Sequence, residues 1–83
     1  MTLKYKLSGD LLEARTAREW KQPETAAKFG ITLRQYQNIE GGKCIPQTVL
    51  FLQMVSYFEL DIAYYMKMVR ADMEKELVRR IGG

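Results

Sequence analysis

The sequence predicts an all-α domain of five helices, with a short extended segment at its start and an elongated helix at its end. Three observations lead there. Residues 22–40 read as two short helices about a turn: Pro23 suits a first helical turn, Ala26 allows close approach, Gly30 permits the bend, and Tyr36 and Ile39 pin the second helix to a core. Residues 47–58 are apolar on nearly every side, as in a buried helix. Residues 62–80 hold no Pro or Gly and repeat apolar positions at helical spacing.

The elements follow in order. Leu3, Tyr5 and Leu7 alternate with Thr2, Lys4 and Lys6, a strand periodicity. Residues 2–7 therefore read as a strand paired across a dimer, a segment lying along the helices, an arm that reaches DNA, or a loose tail. Helix 1 is expected from about Gly9 to Trp20, with Ser8 as its N-cap and Asp10 at the positive end of its dipole. Helix 2 starts around Pro23 and ends at Gly30. Helix 3 opens on Thr32-Leu33-Arg34-Gln35, a capping box, and stops at Gly41-Gly42. Helix 4, about Gln47 to Phe58, is expected to be the central and most buried one. Asp61 can cap helix 5, which continues to about Arg80.

Helix 5 carries two apolar stripes. One is Ile62, Met66, Val69, Met73 and Leu77; the other is Tyr64, Met68, Ala71 and Val78. One stripe suffices for a helix at the edge of a small domain. The second implies a further surface, most simply another copy of the chain, with Tyr64, Met68, Ala71 and Val78 as contact candidates. The spacing leaves open which stripe faces the core.

Eighty-three residues make a single domain, divided here into an arm (1–8), a helical core (9–61) and a C-terminal helix (62–83). One cysteine, Cys44, excludes an internal disulfide, and a reducing cytoplasm is the expected setting. No apolar run approaches the roughly 20 residues of a membrane span, and no secretory signal is evident. The chain has no histidine, which removes His-dependent acid–base chemistry and His-containing metal sites. No glycine loop for phosphates or dinucleotides is present. A non-enzyme without metal, cofactor or small-molecule ligand is expected. Net charge is +3, and its placement matters more than its size. Residues 1–46 hold eight bases and five acids, whereas residues 47–83 hold five of each. The excess lies in the half of the chain that contains the two-helix segment, which fits an electrostatic footprint for phosphates.

With these residues in place, the chain resembles the phage-repressor and Cro-type (XRE-like) helix–turn–helix regulators. The resemblance covers about Leu11 to Ile62. It runs through Arg15, Gln22, Ala26, Gly30-Ile31-Thr32, Ile39-Glu40, Gly42, Pro46 and Phe58-Glu59-Leu60-Asp61. Thr25, Lys21, Pro23 and Tyr36 depart from the family's usual residues. The resemblance implies a five-helix, lambda-repressor-like domain whose third helix enters the major groove of double-stranded DNA. Arg15 and Glu40 match the pair that clamps helix 1 to the end of helix 3.

Base edges then fall to the outer side of helix 3. Arg34 can bind guanine O6 and N7 together. Gln35 reads adenine or closes the capping box with Thr32. Asn38 reaches a base or a phosphate, and Leu33 meets a thymine methyl or is partly buried. Gln22, Gln37, Lys43, Lys21 and Lys28 are the phosphate candidates. The expected function is a cytoplasmic, prokaryotic or phage-encoded transcriptional regulator, acting as a homodimeric repressor on an inverted repeat. The rival is a protein-interaction module, an antitoxin or antirepressor, that uses the same fold to hold another regulatory protein.

Overall fold

A computed structural model describes residues 3–82, with side chains for 3–74. Five helices follow one another: α1 Leu3–Ala17, α2 Gln22–Lys28, α3 Leu33–Glu40, α4 Thr48–Tyr57 and α5 Ile62–Gly82. The described residues contain no strand. The first four helices and the start of α5 enclose one core. Leu7, Leu11, Tyr36, Met54 and Tyr65 are almost wholly buried there, and Ala26, Ile39, Leu50 and Phe58 complete it. The rest of α5 projects, stretching the molecule to 47 Å along one axis against 22 and 20 Å.

The first correction concerns the chain's start. The expected strand, arm or tail is helical from Leu3, and α1 runs unbroken through Ser8 and Gly9. Alternation over six residues is a short signal, and tertiary contacts override it. Leu7 is fully buried and Leu3 packs on the core. The Tyr5 ring lies against Gly42, where an added Cβ would sit 3.0 Å from it. Ser8 is not an N-cap: its hydroxyl donates to the carbonyl of Glu40 at the end of α3. That carbonyl has no partner within its own helix, so α1 satisfies it from outside. Lys6 is tied to Asp10 at 3.0 Å. The boundary drawn between residues 8 and 9 therefore does not exist.

Helix α1 ends three residues earlier than expected. Glu19 adopts a left-handed backbone (φ 59°), and the chain turns there into α2. The α2–α3 turn behaves as read. Gly30 takes φ 68°, Thr32 caps α3, and Gln35 closes the box by accepting from the Thr32 amide at 2.8 Å. Lys21 precedes α2 and offers no side-chain acceptor. Glu24 supplies the reciprocal half instead, accepting from the Lys21 amide at 2.8 Å.

Helix α4 is the second correction. It is not buried all round. Leu50, Met54 and Val55 face the core, while Val49, Leu52 and Tyr57 are half exposed or more. In α5 neither stripe faces the core. Ile62, Met66, Val69 and Met73 are exposed, as are Tyr64 and Ala71, and Met68 is half-buried. Leu77 and Val78 lie outside the described side chains. Tyr65, between the stripes, is what docks α5. Its ring meets Phe51 edge-on at 5.2 Å and its hydroxyl donates to Asp10 at 2.5 Å. Burial pushes the Tyr65 phenol above its usual range, and the Asp10 carboxylate adds to the shift. Asp61 caps α5 by accepting from the Tyr64 amide at 3.3 Å.

If α1 begins at Leu3, truncating Leu7 opens a core cavity. Leu7→Ala is expected to lower unfolding free energy by about 2–5 kcal/mol in urea titrations followed by circular dichroism. A change within about 0.5 kcal/mol, normal for a surface site, would restore the loose-arm reading.

Candidate nucleic-acid interface

Everything about the outward face of α3 starts from what holds α3 behind it. Tyr36 and Ile39 plug into the core. Glu40 then gathers the neighbouring segments. Its Oε2 accepts from Arg15 Nε at 2.8 Å and its Oε1 from Arg15 Nη2 at 2.8 Å, a two-pronged ion pair between α1 and α3. Gln22 Nε2 reaches the same Oε1 at 3.2 Å, bringing in α2. The third Arg15 nitrogen donates to the Trp20 carbonyl at 2.7 Å, which ties down the α1–α2 connection. Arg15 and Glu40 side chains are 13% and 6% exposed, so water screens this pair little.

The electrostatics follow from that geometry. Burial pushes the Glu40 carboxyl upward, but the hydrogen bonds from Arg15 and Gln22 and the nearby Tyr36 hydroxyl outweigh it and hold the group below the ordinary 4.5. Arg15 is raised, first by its hydrogen bond to Glu40. The Tyr36 hydroxyl is fully buried beside these two charges yet meets hydrogen-bond geometry with neither. Burial first, and then Glu40, lift its phenol well above the usual range.

The opposite side of α3 is open. Leu33, Arg34, Gln35 and Gln37 are exposed, and Asn38 is half-buried. Leu33, Arg34, Gln37, Asn38 and Lys43 line one shallow hollow of about 490 Å³. Three of the four base-reading candidates thus meet two of the phosphate candidates. Gln35, the fourth, spends its carbonyl oxygen and backbone amide on the capping box and keeps its amide nitrogen available. Gln22 and Gln37 are linked, with Gln37 Nε2 donating to Gln22 Oε1 at 3.2 Å. Gln22 is therefore a bridge between Glu40 and the α3 surface. Lys21 is exposed beside the start of α2. Lys28 is set apart: its Nζ stands over the Trp20 ring at 4.6 Å, and it lines a different groove. Cys44 is exposed in the loop after α3.

Two parts of this frame carried no signal in the sequence. The Trp20 carbonyl as an Arg15 acceptor is a backbone contact that no residue type announces. The Ser8 bond to the Glu40 carbonyl was hidden by the mistaken start of α1. Among the described residues, no group of His, Cys, Asp and Glu could hold a metal ion, and no helix is long and apolar enough to cross a membrane. Comparisons with protein-family models, curated proteins and solved structures return no match to this chain.

Glu40 has a depressed folded pKa, so its contribution to stability is complete above the unfolded carboxylate value. It is lost as pH falls through the lower folded value. Glu40→Gln is expected to cost about 3–5 kcal/mol at neutral pH, because it leaves Arg15 without its counter-charge. It should also flatten the fall in stability below pH 4.5, measured by urea unfolding across a pH series. A variant with the wild-type acid limb would show that other carboxylates control it.

Proposed function

We propose that this chain is a sequence-specific double-stranded DNA-binding protein of the repressor/Cro type, acting as a homodimer with α3 in the major groove. One observation carries the reading. A short helix, fixed from behind by a buried ion pair, turns Leu33, Arg34, Asn38 and their neighbours Gln37 and Lys43 toward one open hollow. A reading helix needs both properties: a rigid angle and a free polar face. Arg34 reads guanine, while Asn38 and the free amide of Gln35 read neighbouring bases. Lys43 and the start of α2 at Gln22 set the register on phosphates. A homodimer places two such helices about 34 Å apart, in successive major grooves of an inverted repeat. Regulation of transcription in a prokaryotic or phage cytoplasm follows from this reading, with repression as its simplest form.

The experiment is fluorescence anisotropy on DNA from upstream of the protein's own gene, at two salt concentrations, against a scrambled duplex. Binding is expected to be specific and to weaken with salt. Arg34→Ala should lose about 1–3 kcal/mol on the specific site and little on scrambled DNA. If wild type and variant bind both duplexes equally, the sequence-reading role of α3 is wrong.

A further inference from the structure

Two apolar surfaces are left uncovered by the chain's own packing, and they differ in shape. The first is concave: a groove of about 790 Å³ between the end of α2 and α4, walled by Phe29, Val49, Leu52 and Tyr57 with Lys28 among its lining. Val49, Leu52 and Tyr57 are 63%, 49% and 50% exposed. Val49, Leu52, Gln53, Ser56 and Tyr57 recur at the spacing of one helix face, and α4 contains no charged residue. A surface helix of that composition is built to be covered. The second surface is convex. Ile62, Met66, Val69 and Met73 fall within a ~60° sector of α5 at ~100° per residue, and they are 39%, 57%, 41% and 66% exposed. Beyond Tyr65 and half-buried Met68, no described side chain of α5 is covered by the body. A projecting segment of this kind is marginal as a helix in water unless something packs on it.

We propose that the Ile62–Met66–Val69–Met73 ridge of each copy lies in the α2–α4 groove of the other, forming a reciprocal two-fold exchange. This rests on the homodimer of the preceding reading and not on its DNA binding. The shapes fit, a single helix entering a groove between two others. The charges fit as well. Among the described residues, Lys28 is the only charged one lining the groove. Asp72 flanks the ridge on the Tyr65 side, where no basic residue is found among the described side chains; Lys67, Arg70 and Glu74 lie on the opposite flank. Seating the ridge with its Asp72 flank toward Lys28 pairs these two charges. In a two-fold arrangement both ridges and both grooves are filled and none is left over. Pairing α5 with α5 would leave both grooves open. The proposed contact uses the Met66 side of α5 and not the side of Tyr64, Met68 and Ala71; Val78 lies outside the described side chains.

Leu52→Lys spoils the groove and Met73→Lys spoils the ridge. Both positions are exposed in the single chain, so helicity and melting temperature should stay near wild type. In sedimentation velocity the wild type is expected to be a dimer and each variant alone a monomer. Their equimolar mixture is expected to regain a dimer species, because the intact ridge of one meets the intact groove of the other. A monomeric wild type overturns the proposal, as does a monomeric mixture. A dimeric Leu52→Lys or a dimeric Met73→Lys overturns it too, because the altered surface is then no part of the contact. The DNA reading is tested separately: a dimer that ignores DNA leaves the exchange standing, and a specific DNA-binding monomer overturns the exchange alone.

Discussion

The carboxylate of Glu40 is the point on which the helical frame depends. Three side chains from two other helices converge on this one residue. Arg15 arrives from α1, Gln22 from α2 and Ser8 from the first turns of α1, and Glu40 itself ends α3. Each contact alone is modest. Together they fix a helix of only eight residues, too short to hold a direction by itself. Burial makes the arrangement strict. With the pair nearly out of water, a missing partner leaves a charge that nothing else satisfies.

Helix α1 works as the spine that joins this frame to the rest. Its apolar side supplies Leu7 and Leu11 to the core. Its polar positions reach two other helices: Ser8 and Arg15 bond the end of α3, and Asp10 accepts from Tyr65 of α5. Asp10 also pairs with Lys6 one turn back. The proposed DNA-reading helix and the projecting helix thus share a support, with the α5 contact at Asp10 lying between the two α3 contacts at Ser8 and Arg15.

Much of this was legible beforehand, for identifiable reasons. The turn between α2 and α3 shows in residues whose backbone demands are strong: Pro23, Gly30 and the Thr32/Gln35 cap. Arg15 and Glu40 stood out through the family pattern that brackets the turn. The misreadings share a different cause. Residues 3–8 alternate like a strand, but Leu7 and Ser8 gain their partners from residues more than thirty positions away, which a local period cannot register. Helix α4 reads from its sequence as filled on every apolar face from within the chain, and α5 as giving one stripe to the core and the other to a second copy, whereas neither α5 stripe faces the core. Tyr65 is hidden in the pattern between two conspicuous stripes, although among the described side chains of α5 it alone is buried. On the candidate site itself, the sequence placed Leu33, Arg34 and Asn38 on one helix side. It could not foresee that Gln22 and Gln37 would bond to each other and that Lys28 would turn away.

Trp20 is the chain's single tryptophan, and its position gives it a second use. Its carbonyl is held by Arg15, while its indole packs on Tyr57 and Phe58 at 5.6 and 5.7 Å with Arg18 and Lys28 above it. One residue therefore touches the ion pair through its backbone and the wall of the α2–α4 groove through its ring. Its native emission is a built-in optical gauge, able to register slackening of the helical frame and occupation of the groove without any added label.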